Sequence, residues 1–251
     1  MGAVSDALLD GAAVMEGQHV LDIACGTGEP AIPAALRVGP AGKVTAIDFV
    51  PEMVAIAQEK AQTRGLGQIE FRVADGEQLD LPSAAFDAAT MRWGLMFMPQ
   101  PVACLSRVYK ALKPGARFAT ACWAGPDDNL WASLPLGVLK QYMDLPAPQP
   151  GQTGIFAFAD PDRITAVMTE AGFADVSVEA MDVLWSGPES GADYFEEVIE
   201  MAGPLASLYS RLSNQERAAY ANDVALQADR LTVRKPGIAL PGKTWIAIGT
   251  H

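Results

Sequence analysis

The chain has 251 residues and a formal net charge of −12, from 30 acidic against 18 basic side chains, a surplus that repels phosphate backbones and argues against DNA, RNA or an anionic membrane as partner. Half of it is hydrophobic, enough for a full core in one domain, yet no apolar run approaches the ~20 residues a membrane span needs. Cys25, Cys104 and Cys122 are scattered without metal-ligand spacing, and His19 and His251 are the only histidines; neither a metal site nor a histidine-based triad is expected.

The opening MGAVSDALLDG lacks the basic start and long apolar stretch of a secretory signal, so the cytoplasm is the expected compartment. Strand-like runs follow at VLDIA, KVTAI, IEFRVA, FDAATM and RFATACWA. Between them lie helical patterns such as PEMVAIAQEKAQTRG and PVACLSRVYKALKPG. Pro51 suits a first helical turn and Gly65 the position after a last one, while Pro114 and Gly115 predict a turn before the fifth strand. The alternation implies βαβ units and a parallel sheet covered on both faces.

Beyond residue 124 the spacing predicts one helix over about 130–143, a Pro/Gly-rich loop, a helix in DPDRITAVMTEAGF and a strand in DVSVEAMDVLWSG. Two more helices are expected within 190–230, and GKTWIAIGTH closes the chain as a strand. The expected organisation is a single domain, with a core at about 18–124 and insertions at about 125–160 and 186–236.

The chemistry concentrates where VLDIACGTG runs into a turn. Gly26 and Gly28 let the backbone pass close to a ligand at the carboxyl end of a parallel strand, and Asp48, ending the next strand, can accept hydrogen bonds from a ribose diol. A dinucleotide fold shares that layout. The GxGxxG fingerprint nevertheless fails at Ala24 and Ala31, and Asp22 and Glu29 bracket the turn with charge that would oppose a pyrophosphate. A cationic nucleoside suffers no such penalty, and S-adenosylmethionine, with its sulfonium and ammonium, meets the description.

Four segments in order, VLDIACGTGEP, AIDFVPEMVAIAQEKA, FRVADGEQLDLPSAAFDAATMRWGLMFMPQP and ALKPGARF, make the chain resemble the class I S-adenosylmethionine-dependent methyltransferases, in the branch of the ubiquinone and menaquinone C-methyltransferases. The resemblance spans roughly residues 18–124. It implies a Rossmann-like α/β fold: a seven-stranded, mostly parallel sheet with helices on both faces, the last strand antiparallel and a helical insertion near the C-terminus. The cofactor implied is S-adenosyl-L-methionine, leaving as S-adenosyl-L-homocysteine. Family members usually carry an extra helix ahead of the first strand that folds over the cofactor. Only about seventeen residues precede that strand here, so a trimmed or disordered N-terminal lid is expected.

By resemblance, Asp22 anchors the methionine amino group, and Ala24, Gly26 and Gly28 form the wall along the methionine and ribose. Asp48 binds the ribose hydroxyls, Phe49 and Met53 flank the adenine, and Ala74, Asp75 and Gly76 read its edge. Arg92 offers its backbone carbonyl to the ammonium, with Trp93 packed nearby. Met96 and Phe97 could line the acceptor cavity, and Trp123, Trp131 and Tyr142 could wall a planar acceptor. Each has a structural alternative: a cap or tight turn for the acids and glycines, ordinary core packing for the apolar and aromatic residues. No residue is assigned as catalytic, because alignment carries most of a methyl displacement. The function expected is methyl transfer to oxygen or carbon of a small, largely apolar, aromatic or polyketide-like acceptor, with neither nucleic acid nor membrane as partner and a homodimer allowed for. The alternatives are a non-catalytic S-adenosylmethionine-binding or partner-binding protein and, as the poorest fit, a nicotinamide-dependent oxidoreductase.

Overall fold

A computed structural model describes residues 2–145 and 152–251. Helix α1 (Gly2–Gly11) leads into β1 (His19–Ile23), α2 (Ala31–Val38), β2 (Lys43–Asp48), α3 (Pro51–Thr63) and β3 (Ile69–Val73). A helix-free connection reaches β4 (Phe86–Arg92), followed by α4 (Pro101–Ala111), β5 (Leu112–Trp123) and α5 (Leu130–Leu139). The chain continues through α6 (Pro161–Glu170), β6 (Ala174–Ser186), α7 (Gly191–Met201), α8 (Gly203–Tyr209), α9 (Asn214–Leu231) and β7 (Ala239–Thr250). Part of the expected Pro/Gly-rich loop, residues 146–151, lies outside the described residues.

The seven strands form one sheet in the order β3-β2-β1-β4-β5-β7-β6. Pairing is parallel from β3 through β5 and antiparallel between β5 and β7. This is the Rossmann-like α/β arrangement expected. Four consecutive residues are buried in each of β1, β2 and β4, whereas the outer strands β3 and β6 are largely exposed or half-buried, as in a parallel sheet flanked by helices. The chain starts mid-sheet at β1, travels outward to β3 and returns to place β4 on the other side of β1. That reversal leaves a crevice beyond the carboxyl ends of β1 and β4, the place where open α/β sheets take ligands. Among the described residues no helix is long and apolar enough to cross a membrane.

Several expectations need correction. The N-terminal segment is not a disordered lid: Val4, Leu8 and Leu9 are buried at i, i+4 and i+5 spacing, one helical face, and α1 packs against β4, β5 and α2. A Cβ on Gly11 would meet Ile248 Cδ1 at 2.6 Å, so the helix ends flush against β7. Pro114 and Gly115 do not precede the fifth strand but lie within it. The β4–β5 register jumps from Phe86↔Leu112 to Ala88↔Arg117 there, with Gly115 at φ +78°. The helix after β5 stops at Leu139, and three helices rather than two occupy 190–231, because Pro204 opens a new one after α7.

The described chain divides into two compact units. One gathers residues 2–123, 152–181 and 244–251 and includes all the strand pairing from β3 to β5. The other gathers the described residues of 124–145 and 182–243. Its interior is aromatic: Trp131 stacks on Trp185, which meets Tyr194 edge-on, and Phe195, Tyr209 and Tyr220 contact one another.

Candidate active site

Asp22, the fourth residue of β1, is buried. The Thr90 hydroxyl of β4 donates to its Oδ1 at 2.9 Å, while its Oδ2, equally sealed from water, has no hydrogen-bond partner. Burial pushes its pKa up to about 8, against the opposing pull of Thr90, Arg92 and the Ala31 amide. The chain then turns sharply: Ala24 lies at φ +55°, Gly26 at +51° and Gly28 at +105°, left-handed conformations that disfavour side chains. A Cβ on Gly26 would enter open space, whereas one on Gly28 would strike Ile32 Cδ1 at 2.6 Å. Gly26 therefore keeps a cleft open, and Gly28 lets α2 close on the turn.

Asp48 ties that turn to the end of β2. Its Oδ2 accepts from the Gly26 amide at 2.7 Å and its Oδ1 from the Val50 amide at 2.9 Å, and each carboxylate oxygen retains capacity for a further donor. The second contact is also the local turn that Pro51 and α3 require, so the structural and binding roles coexist.

After β4, Trp93 adopts φ +56°, an uncommon conformation for a bulky residue. It is held there by stacking on Trp123 at 4.3 Å and by donating Nε1–H to Thr244 Oγ1 at 3.1 Å. A Cβ on the next residue, Gly94, would lie 2.5 Å from the Ala24 methyl. The loops after β1 and β4 thus interlock through a glycine that sequence reasoning passed over; the signal was a lone Gly two residues past the end of a buried strand.

Between these loops and those after β2 and β3 opens a cleft of about 570 Å³. Ala24, Gly26, Asp48, Phe49, Met53, Ala74, Asp75, Gly76, Trp93 and Phe97 line it, together with Ile23, Ile47, Val50, Glu77, Gly94, Met98 and Pro99. Asp22, Gly28 and Arg92 are not among the lining residues. Met96 is buried, as is Trp123 beneath Trp93, and neither lines the cleft. Trp131 and Tyr142 belong to the other unit: Trp131 donates to Asn129 Oδ1 and Tyr142 to Asp223 Oδ2, the latter raising the phenol to about 12.

Residues 20–115 match a methyltransferase domain family. The chain is 30% identical over 179 residues to a demethylmenaquinone methyltransferase of Geobacillus kaustophilus, spanning 66% of this chain and 75% of that one. It is 31% identical over 199 residues to a nocamycin O-methyltransferase of Saccharothrix syringae, at 75% and 71% coverage. It belongs to the class I S-adenosylmethionine-dependent methyltransferases. The fold agrees with a solved S-adenosylmethionine-dependent methyltransferase from Aquifex aeolicus, at TM-score 0.53, 23% identity and coverage of 71% and 83%.

For this methyltransferase the cofactor is S-adenosylmethionine, and the cleft fits it. A buried acceptor without a donor, Asp22 Oδ2, suits an ammonium group, and the open space at Gly26 suits a ligand passing close to the backbone. One part of the electrostatic reasoning from sequence fails, however. Glu29 accepts from the Ser5 hydroxyl at 2.6 Å and pairs with Arg92 at 3.5 Å, so its charge is compensated and does little to reject a pyrophosphate. The cysteines beside the cleft are inert thiols: burial raises Cys25, and Cys104 to about 12.

Proposed function

We propose that this methyltransferase acts on oxygen or carbon of a small, largely apolar acceptor of aromatic or polyketide-like character, working as one domain with its core at about 18–124. In this reading Asp48 takes the ribose hydroxyls, Phe49 and Met53 flank the adenine, and Ala74, Asp75 and Gly76 meet its edge. Ala24, Gly26 and Gly28 form the backbone wall, and Asp22, the Arg92 carbonyl and Trp93 serve the methionine portion. The observation that carries the acceptor class is the apolar stretch of the cleft left over by the cofactor roles: Phe97 is 54% exposed, with Met98 and Pro99 beside it. The names of the demethylmenaquinone and nocamycin relatives support a small-molecule acceptor.

The bound cofactor supplies an electrophilic methyl group and its own leaving group. The protein's share is alignment and exclusion of water. The carboxylates lining the cleft are all engaged with backbone amides: Asp48 as above, Asp75 by the Glu77 amide at 2.9 Å, and Glu77 by the Gln100 amide. In this reading they are structural acceptors, and none is assigned as a general base. The acceptor therefore fits best as a group that ionises readily by itself, a phenol, an enol or an activated carbon.

The test is calorimetric titration of S-adenosylmethionine, with NAD as control, into the wild type and Asp48→Ala, followed by product mass analysis over a panel of phenols and enolisable acceptors. Binding of S-adenosylmethionine alone, lowered at least tenfold in Asp48→Ala, is expected. Unchanged affinity in the variant removes the ribose role, and binding without turnover across the panel favours a non-catalytic cofactor-binding protein.

A further inference from the structure

Of the large side chains that line the cleft, Trp93 alone sits on a left-handed backbone, at φ +56°. A bulky residue persists in that region only where its surroundings over-determine it, so the groups that hold Trp93 say what its placement is for. Its amide donates to the Ala121 carbonyl of β5 at 2.9 Å. Its ring stacks on Trp123, with centroids 4.3 Å apart and planes 10° from parallel, and its Nε1–H donates to Thr244 Oγ1 of β7 at 3.1 Å.

Trp123 and Thr244 form one cross-strand pair. They stand opposite each other where β5 and β7 run antiparallel, and side chains opposite each other in such a pair share a face of the sheet. Thr244 is fully buried. Its hydroxyl donates to the Cys122 carbonyl at 2.8 Å, with the Trp245 carbonyl farther away at 3.5 Å, which leaves its oxygen as the acceptor for the indole. Neither Trp123 nor Thr244 lines the cleft. The residue after Trp93, Gly94, abuts the Ala24 methyl of the glycine turn, so relaxation of Trp93 toward negative φ would shift the backbone where the loops after β1 and β4 meet.

We propose that Thr244 is a positioning residue for the methionine portion of the cofactor. From a strand that contributes nothing to the cleft lining, its hydroxyl holds Trp93, and through Trp93 the backbone from Arg92 to Gly94, in the shape that receives that portion. The proposal rests on the cofactor reading above, in which the Arg92 carbonyl and Trp93 serve the methionine end while Asp48 and the loop after β3 hold the adenosine. Thr244 therefore acts on one end of the ligand. A residue that only packed β7 would affect stability without that selectivity.

The experiment is calorimetric titration of wild type, Thr244→Val and Thr244→Ser with S-adenosylhomocysteine and with methylthioadenosine, which keeps the adenosine and lacks the amino-acid tail. Thermal melts verify folding. Valine preserves the shape of threonine but cannot accept the indole N–H, whereas serine can. Thr244→Val should weaken S-adenosylhomocysteine by roughly fivefold, in the range of one hydrogen bond, and leave methylthioadenosine unchanged; Thr244→Ser should bind both as the wild type does. Equal losses for the two ligands, unchanged affinity of Thr244→Val for S-adenosylhomocysteine, or a serine variant no better than the valine one overturns the proposal. If Thr244→Val does not fold, Trp123→Phe, which reduces the stack under Trp93 and leaves the lining residues in place, decides by the same two titrations: a loss confined to S-adenosylhomocysteine supports the proposal, and an equal or absent loss overturns it. Wild-type protein that binds neither ligand removes the cofactor reading and the proposal with it, whereas binding without the selective loss removes only the proposal.

Discussion

At the scale of single residues, Asp22 makes a strong thermodynamic statement. An unperturbed aspartate loses its proton near pH 3.9, whereas in the fold burial holds Asp22 to about 8. Between those values folding takes up a proton. The contribution of Asp22 to stability is therefore fully present below the unfolded pKa and is lost as pH rises toward the folded one, at no more than about 1.4 kcal/mol per pH unit. Asp22→Asn, whose amide oxygen can still accept from Thr90, has no such proton to exchange. In thermal melts of the cofactor-free protein from about pH 5 to 8, the wild type should lose stability relative to Asp22→Asn as pH rises. Parallel curves would show that Asp22 is ionised throughout.

At the scale of elements, α5 shows how a sequence irregularity is absorbed. Pro135 sits inside the helix and has no N–H, so the carbonyl four residues earlier, that of Trp131, loses its helical donor. The Tyr194 hydroxyl of α7 fills the vacancy at 2.7 Å, and Tyr220 of α9 donates to the Pro135 carbonyl at 3.0 Å. Both tyrosines are buried, so their hydroxyls are structural donors. Tyr194→Phe keeps the ring but removes the donor of this bond, and should lower stability by about 0.5–1.5 kcal/mol, measurable by urea denaturation. Alpha-helix α1 carries a related lesson. Its apolar spacing at Val4, Leu8 and Leu9 was visible in the sequence, but only its docking on β4 and β5 separates a core helix from a loose lid, because a ten-residue helix has little stability of its own.

At the scale of the whole molecule, binding and folding are linked. A ligand that binds only the folded chain stabilises it by about 2.7 kcal/mol at one hundred times its Kd, which for a protein of this size raises Tm by roughly 5–10 °C. S-adenosylhomocysteine should produce that shift in the wild type, and the shift should shrink in Asp48→Ala. An equal shift in both would place the ligand away from the β2 carboxylate.

The parts of this protein that the sequence determined are those governed by local periodicity and backbone geometry. Alternating strand and helix patterns dictate a parallel sheet, Gly26 and Gly28 dictate a turn that side chains would block, and an acid at the end of the second strand follows from the same βαβ spacing. Tertiary structure decided what depends on partners distant in the chain. It sent Glu29 to Ser5 and Arg92 instead of toward a ligand, set Ala24 against Gly94, and buried Met96 while leaving Phe97 exposed one residue later. It also left Asp22 Oδ2 without a donor. Charge compensation, close packing and desolvation are properties of what surrounds a group in three dimensions, and a linear pattern carries the group without its surroundings.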